Sequence, residues 1–388
     1  MEEIIMKTSK MAEAITPSLT RKLFNMALEI GNDVINLTLG DPDILPPEQI
    51  RMAACDAIMA GKTRYSANAG LDTVRKSYAS FFENQYGLAV EPTKNVIATV
   101  GGMEALFLSL AAIVDSGDEV IILGPYYVNY FQMIKMCGGI PVVIDRLGKT
   151  DEEIAEKILL SISKRTIAII INSPCNPVGD ILSANLLDSI SKIASENNLK
   201  VISDEVYNSL VYDGKIAESI ITREGMKDRT IIIDSCSKRF AMTGWRIGFA
   251  VGPKEIIDNM TKMQENVVAC APLPSQYAAI KAYSGGFDYS YIQKEYQRRR
   301  DIVVKAINSI PALSCIRPEA TFYCFVDITR TGLNSEEFAY ALLEKKHVAV
   351  VPGLAYGESY SHYVRIAFTL KDELLVEAMN RIKDFCSK

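Results

Sequence analysis

Histidine and paired cysteines are scarce in this chain of 388 residues. It has only two histidines, His347 and His362, and its eight cysteines are scattered without a C-x-x-C pair. Zinc sites are built from clusters of these residue types, so the sequence predicts no metal centre. The N-terminal stretch "MEEIIMKTSK" lacks the basic segment and apolar run of an export signal. Scattered cysteines are also typical of a reducing compartment, and we therefore expect a cytoplasmic protein.

The chain also lacks an excess of positively charged residues. Lysine and arginine number 42 against 47 aspartates and glutamates, which gives a net charge of −5. Such a balance offers no basic footprint for nucleic acid or an anionic membrane surface. One apolar run, residues 96–114, approaches the length of a membrane span. It contains two glycines and Glu104, so a strand, a glycine turn and an amphipathic helix explain it better. We expect neither nucleic acid nor membrane as a partner.

Short apolar runs rich in β-branched residues dominate the first two thirds of the chain. They lie at 95–100, 118–124, 140–145, 166–174, 200–207, 230–235 and 245–252. Most are continuously apolar, as expected for strands that are covered on both faces. Helical patterns, such as 151–163 and 183–196, separate many of them. This alternation predicts an α/β fold, in which helices cover both faces of a sheet.

The pattern changes after about residue 285. A long charged helical stretch at 291–310 precedes a strand-like run at 321–328 and two more near the C-terminus. We interpret this part as a smaller α+β domain. The N-terminal segment is too short to fold alone, so we expect it to pack against that domain. The predicted division is therefore a large domain at 45–285 and a small one formed by 1–44 with 286–388.

Polar or glycine residues follow several of the predicted strands, and ligands of α/β sheets bind at these strand ends. Gly101 and Gly102 can cradle a phosphate at a helix start, or merely form a tight turn. Asn176 can donate its amide to a ligand, or only shape a proline-rich turn. Asp204 can face a cation in a cleft, or cap the next helix, on which Tyr207 would share its face.

The stretch "SCSKRFAMTGWRIGF" (235–249) is the most informative of these ends. Serine hydroxyls at 235 and 237 and the guanidinium of Arg246 are donors that bind phosphate, although a solvated turn is the ordinary alternative. Lys238 can form a Schiff base with a carbonyl if its surroundings lower its pKa. Together, the strand ends suit a phosphate ester that carries an aldehyde and a protonatable ring nitrogen. Pyridoxal phosphate is such a molecule.

With these motifs, the chain resembles the fold-type I pyridoxal-phosphate aminotransferases of class I and II, which include bacterial aspartate and aromatic aminotransferases. The resemblance runs from "NLTLGDPDILPP" (36–47) through "TRYSANAGLDTVRKSYASFF" (63–82) and "SCSKRFAMTGWRIG" (235–248) to "HYVRIAFT" (362–369). It implies a large α/β domain with a seven-stranded, mostly parallel sheet between helices, and a smaller α+β domain. It also implies pyridoxal 5′-phosphate as cofactor and a homodimer with shared active sites.

The resemblance further implies a ping-pong transfer of an amino group from an L-amino acid to a 2-oxoacid, by family habit 2-oxoglutarate, with pyridoxamine phosphate as the intermediate. Lys238 would form the Schiff base and move the substrate proton, and Asp204 would keep the ring nitrogen protonated. Asn176 and Tyr207 would donate hydrogen bonds to the 3-oxygen of the cofactor. Arg365 would bind the α-carboxylate of the substrate.

The remaining implied roles concern the phosphate and the rim of the pocket. The phosphate would be held by the backbone amides at Gly102 and Met103, together with Ser235, Ser237 and Arg246. Gly101 would also belong to the cofactor site. Tyr127 would stack on the cofactor ring, and Gly40 would line the substrate pocket with Asn176. Tyr65 would reach the phosphate of the neighbouring subunit.

One departure from the family pattern concerns the substrate. Several bacterial relatives that use dicarboxylic substrates have lysine directly after the glycine pair, where this chain has Met103. This favours a neutral or aromatic amino donor, unless a cation enters from the other subunit.

Two rival functions stay open. A C–S β-lyase of the same fold would share the lysine, aspartate and arginine, but "MTGWRIGF" resembles the aminotransferase version more closely. An aminotransferase-like effector domain of a transcription regulator would follow a basic winged-helix module, and only about thirty-five residues precede "LTLGDPD".

Overall fold

The computed structural model describes residues 8–31 and 33–387, so the first seven residues of the predicted small-domain segment lie outside it. The strands of this part, β1 to β13, are Ile35–Asn36, Val96–Thr99, Glu119–Gly124, Ile140–Asp145, Thr166–Asn172, Lys200–Asp204, Thr230–Ser235, Gly248–Val251, Ser314–Cys315, Tyr323–Asp327, Val348–Ala349, Val351–Pro352 and Tyr363–Ala367. The helices, α1 to α15, are Lys10–Ala14, Leu19–Ile30, Glu48–Met59, Asp72–Tyr86, Pro92–Asn95, Gly101–Ile113, Val128–Met136, Asp151–Leu160, Ala184–Glu196, Cys236–Arg239, Lys254–Val267, Leu273–Tyr283, Ser290–Asn308, Ser335–Lys346 and Asp372–Cys386. Each helix within these ranges is too short or too polar to cross a membrane.

A seven-stranded sheet in the order β2-β8-β7-β6-β5-β3-β4 forms the centre of the larger unit. The pairs among β3 to β7 are parallel, whereas β8 is antiparallel to both β2 and β7. Each strand coincides with one of the seven apolar runs, so the predicted mostly parallel sheet is confirmed. The near-spanning run at 96–114 is the strand β2, a glycine turn and the helix α6, as predicted.

Helices cover both faces of this sheet because alternate strand residues point in opposite directions. On one face, Ile97 and Ile231 pack against α6, α7 and α11. On the other face, Val96 and Ile232 pack against α3, α4 and α12, while α8 and α9 cover Ile169 farther along. The continuous apolar runs are thus explained by burial on both sides.

A four-stranded antiparallel sheet in the order β12-β13-β10-β9 forms the centre of the smaller unit. The N-terminal segment joins it directly, since β1 pairs with β11 and α2 buries Leu23 and Ala27 in the same hydrophobic core. The backbone N–H of Leu37 donates to Ala349, and Leu37 in turn accepts from Ala367. These bonds place the following residues, 38–40, at the junction of the two units. The boundaries at 45 and 285 stay a prediction.

The parallel strands bring distant parts of the chain to one edge of the large sheet. Asn172 ends β5 beside Asp204, which ends β6, and Ser235 ends β7. Turns at 206–209, rather than a helix, follow Asp204, so the suggested helical face shared with Tyr207 is wrong. The backbone N–H of Val206 donates to Asp204 Oδ1 at 3.4 Å, which is a local turn contact of an aspartate.

Candidate active site

A cavity of about 430 Å³ lies where this sheet edge meets the smaller unit, a volume in the range of small-molecule sites. Twelve of the sequence-predicted residues line it: Gly40, Gly102, Met103, Tyr127, Asn176, Asp204, Tyr207, Ser235, Ser237, Lys238, Arg246 and Arg365. Two do not. Gly101 lies next to the guanidinium of Arg246 but does not line the cavity, and Tyr65 is 85% exposed outside it. The predicted contact of Tyr65 with a second subunit stays a prediction.

Lys238 lies on α10, a single helical turn that begins directly after β7. The turn is capped by Ser235, whose Oγ accepts from the backbone N–H of Ser237 at 3.1 Å. Serine is a strong N-cap residue, so the local sequence dictates this abrupt change from strand to helix. The lysine Nζ donates to the carbonyl oxygen of Gly40 at 2.6 Å. This contact joins the large unit to the N-terminal segment across the cavity.

The surroundings of the Lys238 amine favour its neutral form. Burial lowers its pKa from 10.5 to about 8, and the nearby guanidinium groups of Arg365 and Arg246 act in the same direction. The carboxylate of Asp41 opposes the effect. A lysine with a pKa near 8 is a nucleophile and a proton acceptor at ordinary pH. Its chemistry is therefore set by the fold and not by lysine alone.

Asp204 is the carboxylate of the cavity, and its main partner is a tyrosine. Tyr130 on α7 donates through its hydroxyl to Asp204 Oδ2 at 2.6 Å, with both side chains buried. Burial raises the pKa of Asp204 to about 6, although the hydrogen bond from Tyr130 lowers it. A cationic group bound beside it would favour the ionised carboxylate further. The site is thus suited to a protonated ring nitrogen.

Hydroxyls, a guanidinium and a helix start converge on one end of the cavity. Ser235 Oγ and Ser237 Oγ lie 2.9 Å apart, and Arg246 is held by a 2.8 Å bond from its Nη1 to the carbonyl of Thr243. Gly101 has a φ of +75°, and a Cβ atom there would lie 2.6 Å from Arg246 Nη2, so both the backbone and the space favour glycine at the start of α6. This donor set fits a phosphate group.

Arg365 on β13 also lines the cavity, and several contacts hold its guanidinium in place. Its Nη1 donates to Asn176 Oδ1 at 3.0 Å, and its Nη2 donates to the carbonyl of Thr38. The guanidinium lies 4.2 Å from the ring centre of Tyr323 and 5.4 Å from that of Tyr356. Its Nε has no hydrogen-bond partner among residues 8–31 and 33–387. A buried arginine fixed in this way can receive a carboxylate with defined geometry.

The N-terminal segment approaches the cavity so closely that only glycine fits at position 40. A Cβ atom there would lie 1.7 Å from the hydroxyl of Tyr323. That hydroxyl is 3.2 Å from the hydroxyl of Tyr207, and the two groups form a hydrogen bond. Gly40 therefore shapes the cavity by the absence of a side chain, and its carbonyl positions Lys238.

Met103 and Tyr127 form one wall together with Asn129. The Tyr127 hydroxyl donates to Met103 Sδ at 3.5 Å, and Asn129 Nδ2 donates to the Tyr127 hydroxyl at 3.0 Å. Burial raises the pKa of Tyr127 to about 12, so its phenol stays neutral. This wall is uncharged and polarisable.

Several residues of the site escaped the sequence analysis. Tyr130 lies one helical turn after Tyr127, a spacing that places both on one face, but nothing in the sequence pairs it with Asp204. Asn172 also lines the cavity, and its Nδ2 donates to the carbonyl of Asp204 at 3.0 Å. Its position at the end of the apolar run of β5 was a signal that could have identified it from the sequence. Tyr323 begins the strand β10 within the run "TFYCF" (321–325), whose aromatic residues are equally typical of core packing.

Known proteins are similar to this chain in both sequence and structure. The family model "Aminotransferase class I and II" matches residues 32–382. The aspartate aminotransferase of Pyrococcus abyssi is 38% identical over 97% of this chain and 98% of its own length. Aromatic-amino-acid aminotransferase 2 of Thermococcus litoralis is 36% identical over 97% of this chain and 98% of its own. The crystal structure of an aromatic aminotransferase from Pyrococcus horikoshii is 37% identical, covers 94% of this chain and 98% of its own, and superposes with a TM-score of 0.87.

These matches confirm the resemblance seen in the motifs and extend it over nearly the whole chain. The donor set of the cavity fits the phosphate, ring and aldehyde of the family's cofactor. The chain therefore belongs to the class I and II aminotransferases and is a pyridoxal-phosphate-dependent aminotransferase, which acts on amino acids and 2-oxoacids.

Proposed function

We propose that this aminotransferase moves the amino group of an aromatic or other neutral L-amino acid to 2-oxoglutarate by a ping-pong reaction. The observation that carries the proposal is the convergence of Lys238, Asp204 and Arg365 on one cavity. A nucleophilic amine, a buried carboxylate and a fixed guanidinium are the groups that an amino acid and this cofactor require.

The cofactor would occupy the cavity with its phosphate at the two serines and Arg246, and with its ring nitrogen at Asp204. Asn176 and Tyr207 would donate to its 3-oxygen, and Tyr127 would cover the ring. When bound, pyridoxal phosphate supplies an aldehyde that condenses with amines and a cationic ring that withdraws electrons from the substrate α-carbon. The lowered pKa of Lys238 supports its role in binding that aldehyde.

The chain's own residues would then orient the substrate and move one proton. Arg365 would bind the α-carboxylate through two parallel hydrogen bonds, with its unpaired Nε as one of the donors. This fixes the α-carbon near Lys238, whose neutral amine can accept the α-proton and later return it. Asn176 would hold both Arg365 and the cofactor, because its Oδ1 already accepts from the arginine.

The uncharged wall formed by Met103, Tyr127 and Asn129 supports a neutral or aromatic side chain on the amino donor. Methionine sulfur makes favourable contacts with aromatic rings. The names of the relatives include both aspartate and aromatic aminotransferases, and so they leave this choice to the residues of the cavity.

A cytoplasmic homodimer is part of the proposal. Tyr65 is 85% exposed and follows α3, on which Met52, Ile58 and Met59 are exposed apolar residues. A second copy would cover such residues and bring Tyr65 to the phosphate of its partner. All eight cysteines are free thiols, which supports a reducing compartment.

The test is to load the purified enzyme with pyridoxal phosphate and to add single amino acids while its visible absorption is recorded. We expect aromatic or neutral amino acids to convert the cofactor to its amino form and 2-oxoglutarate to reverse the change. Lys238→Ala should abolish turnover, whereas Lys192→Ala, at an exposed site on α9, should not. Release of pyruvate and thiol from cysteine conjugates without amino transfer would instead indicate a lyase.

A further inference from the structure

One cation of the cavity has no task in the proposed reaction. Four cationic residues are among the described residues that line it: Arg21, Lys238, Arg246 and Arg365. The last three are matched with the cofactor's aldehyde, its phosphate and the α-carboxylate. In the described part of the chain, Arg21 forms no ion pair, and its guanidinium carbon lies 5.3 Å from the ring centre of Phe24.

The position of Arg21 is built into the start of α2. Ser18 caps this helix, and its Oγ accepts from the backbone N–H of Arg21 at 3.5 Å. Leu23 and Ala27 anchor the helix in the core of the smaller unit. The neighbouring Lys22 differs in direction, because its Nζ lies 5.3 Å from the ring of Tyr340, and it does not line the cavity. The first turn of α2 thus presents one of two adjacent cations to the active site.

The 2-oxoacid that accepts the amino group carries a second negative charge, which a further cation would bind. A dicarboxylic 2-oxoacid carries two carboxylates, and Arg365 binds only one of them. Met103 is uncharged at the position after the glycine pair, so it leaves the second carboxylate without a partner. Both substrates of a ping-pong enzyme use the same cavity in turn, and leaving a carboxylate unpaired there would weaken binding.

We propose that Arg21 binds the distal carboxylate of dicarboxylic substrates, both the 2-oxoacid acceptor and the amino acid formed from it. This inference rests on the proposed function and names the residue that recognises its second substrate. The helix start adds a partial positive charge beside the guanidinium, which favours the same anion.

Two features allow the same cavity to accept neutral donors. Arg21 is exposed and is held by a ring contact rather than by an ion pair, so it can remain in solvent when no distal carboxylate is present. An aromatic or aliphatic side chain can then contact Met103 and Leu106, which line the cavity. Discrimination against neutral substrates is therefore not expected.

The experiment compares half-reactions of the holoenzyme by stopped-flow absorbance, with 2-oxoglutarate and glutamate as dicarboxylic substrates and pyruvate and phenylalanine as monocarboxylic ones. We expect Arg21→Gln to lower kcat/KM for the dicarboxylic pair by about 10- to 100-fold, mainly through KM, because a charge-assisted hydrogen bond is lost. For the monocarboxylic pair, kcat/KM should change by less than about threefold. Arg21→Lys should restore a large part of the loss.

Lys22→Gln is the matched control, because it removes the same charge from the same turn outside the cavity. It should leave both substrate classes within about threefold of the wild type, as expected for an exposed charge. Equal losses for both classes in Arg21→Gln, or no loss for the dicarboxylic pair, would overturn the role of Arg21 while the aminotransferase proposal stands. A wild-type enzyme that transfers no amino group to 2-oxoglutarate would overturn both.

Discussion

Replacing Tyr130 with phenylalanine tests the electrostatic design of the cofactor site. The change removes one hydroxyl, whose hydrogen bond to Asp204 Oδ2 is 2.6 Å long and lowers the pKa of that carboxyl. Phenylalanine keeps the ring and therefore its packing against Tyr127, whose ring centre is 5.5 Å away. In the variant, burial still raises the pKa of Asp204, but the hydrogen bond that most strongly lowers this pKa is gone.

The size of the effect follows from the energy of such a bond. Hydrogen bonds to charged groups contribute about 1.5–3 kcal/mol, and a change of one in pKa corresponds to about 1.4 kcal/mol. We therefore expect the pKa of Asp204 in the cofactor-free protein to rise from about 6 to roughly 7–8. The direction is upward because the ionised form loses a partner and the protonated form does not.

In the proposed site, a proton on Asp204 would compete with the protonated ring nitrogen of the cofactor, so cofactor affinity would report this shift. Protonation of Lys238, whose pKa is about 8, affects both proteins alike, so the informative quantity is the ratio of the two dissociation constants. This ratio of variant to wild type should rise below roughly pH 7–8 and level off below about pH 6. At pH 6.5 the variant should bind pyridoxal phosphate about 3- to 25-fold more weakly than the wild type, and at pH 8.5 within about twofold. Equilibrium dialysis of the cofactor-free protein between pH 5.5 and 8.5 measures both values.

Tyr78→Phe provides the matched control. The Tyr78 hydroxyl donates to Asp234 Oδ2 at 3.1 Å, so this variant also breaks a buried tyrosine–aspartate bond, but outside the cavity. Its dissociation constant should follow the wild-type pH profile. A Tyr130→Phe profile that is parallel to the wild type at every pH would refute the assignment of the effect to the protonation of Asp204.

Two further predictions concern Lys238 and Gly40. With a pKa of about 8, Lys238 of the cofactor-free protein should show reductive methylation with a midpoint near pH 8 by peptide mass spectrometry, whereas a midpoint above pH 10 would contradict the lowered pKa. Gly40→Ala places a Cβ atom 1.7 Å from the Tyr323 hydroxyl, so we expect a loss of about 1–3 kcal/mol in urea unfolding, with reduced turnover. Gly244→Ala, where nothing lies within 4 Å of the added atom, should leave stability nearly unchanged, and equal losses in both variants would exclude the steric explanation.

The sequence predicted the sheet well because burial on both faces leaves a local trace. All seven apolar runs are strands of one sheet, and the helices at 151–163 and 183–196 appear as Asp151–Leu160 and Ala184–Glu196. The antiparallel direction of β8 could not be predicted from the sequence. An antiparallel strand that is buried on both faces has the same continuous apolar pattern as a parallel one. The turn after Asp204 was also missed, although Asn208 and Ser209 favour turns, because the spacing of Asp204 and Tyr207 also fits a helix.

The chemically reactive residues were predictable because parallel strands bring their ends together wherever they occur in the chain. Asn176, Asp204 and Lys238 could therefore be grouped before any distance was known, and all three line one cavity. What the sequence by itself determined is the sheet, the kind of chemistry and the residues that end its strands.

Only the tertiary structure decided how those groups are tuned and which further side chains line the cavity beside them. Tyr130 meets Asp204 across 74 positions, and Arg365 meets Asn176 across 189, and no periodicity relates residues so far apart. Nothing in the sequence distinguishes Arg21 from the adjacent Lys22, whereas the fold places Arg21 at the cavity and Lys22 beside Tyr340. The physical reason is that pKa values and specificity depend on burial and on contacts between elements, and both arise only when the two units pack together.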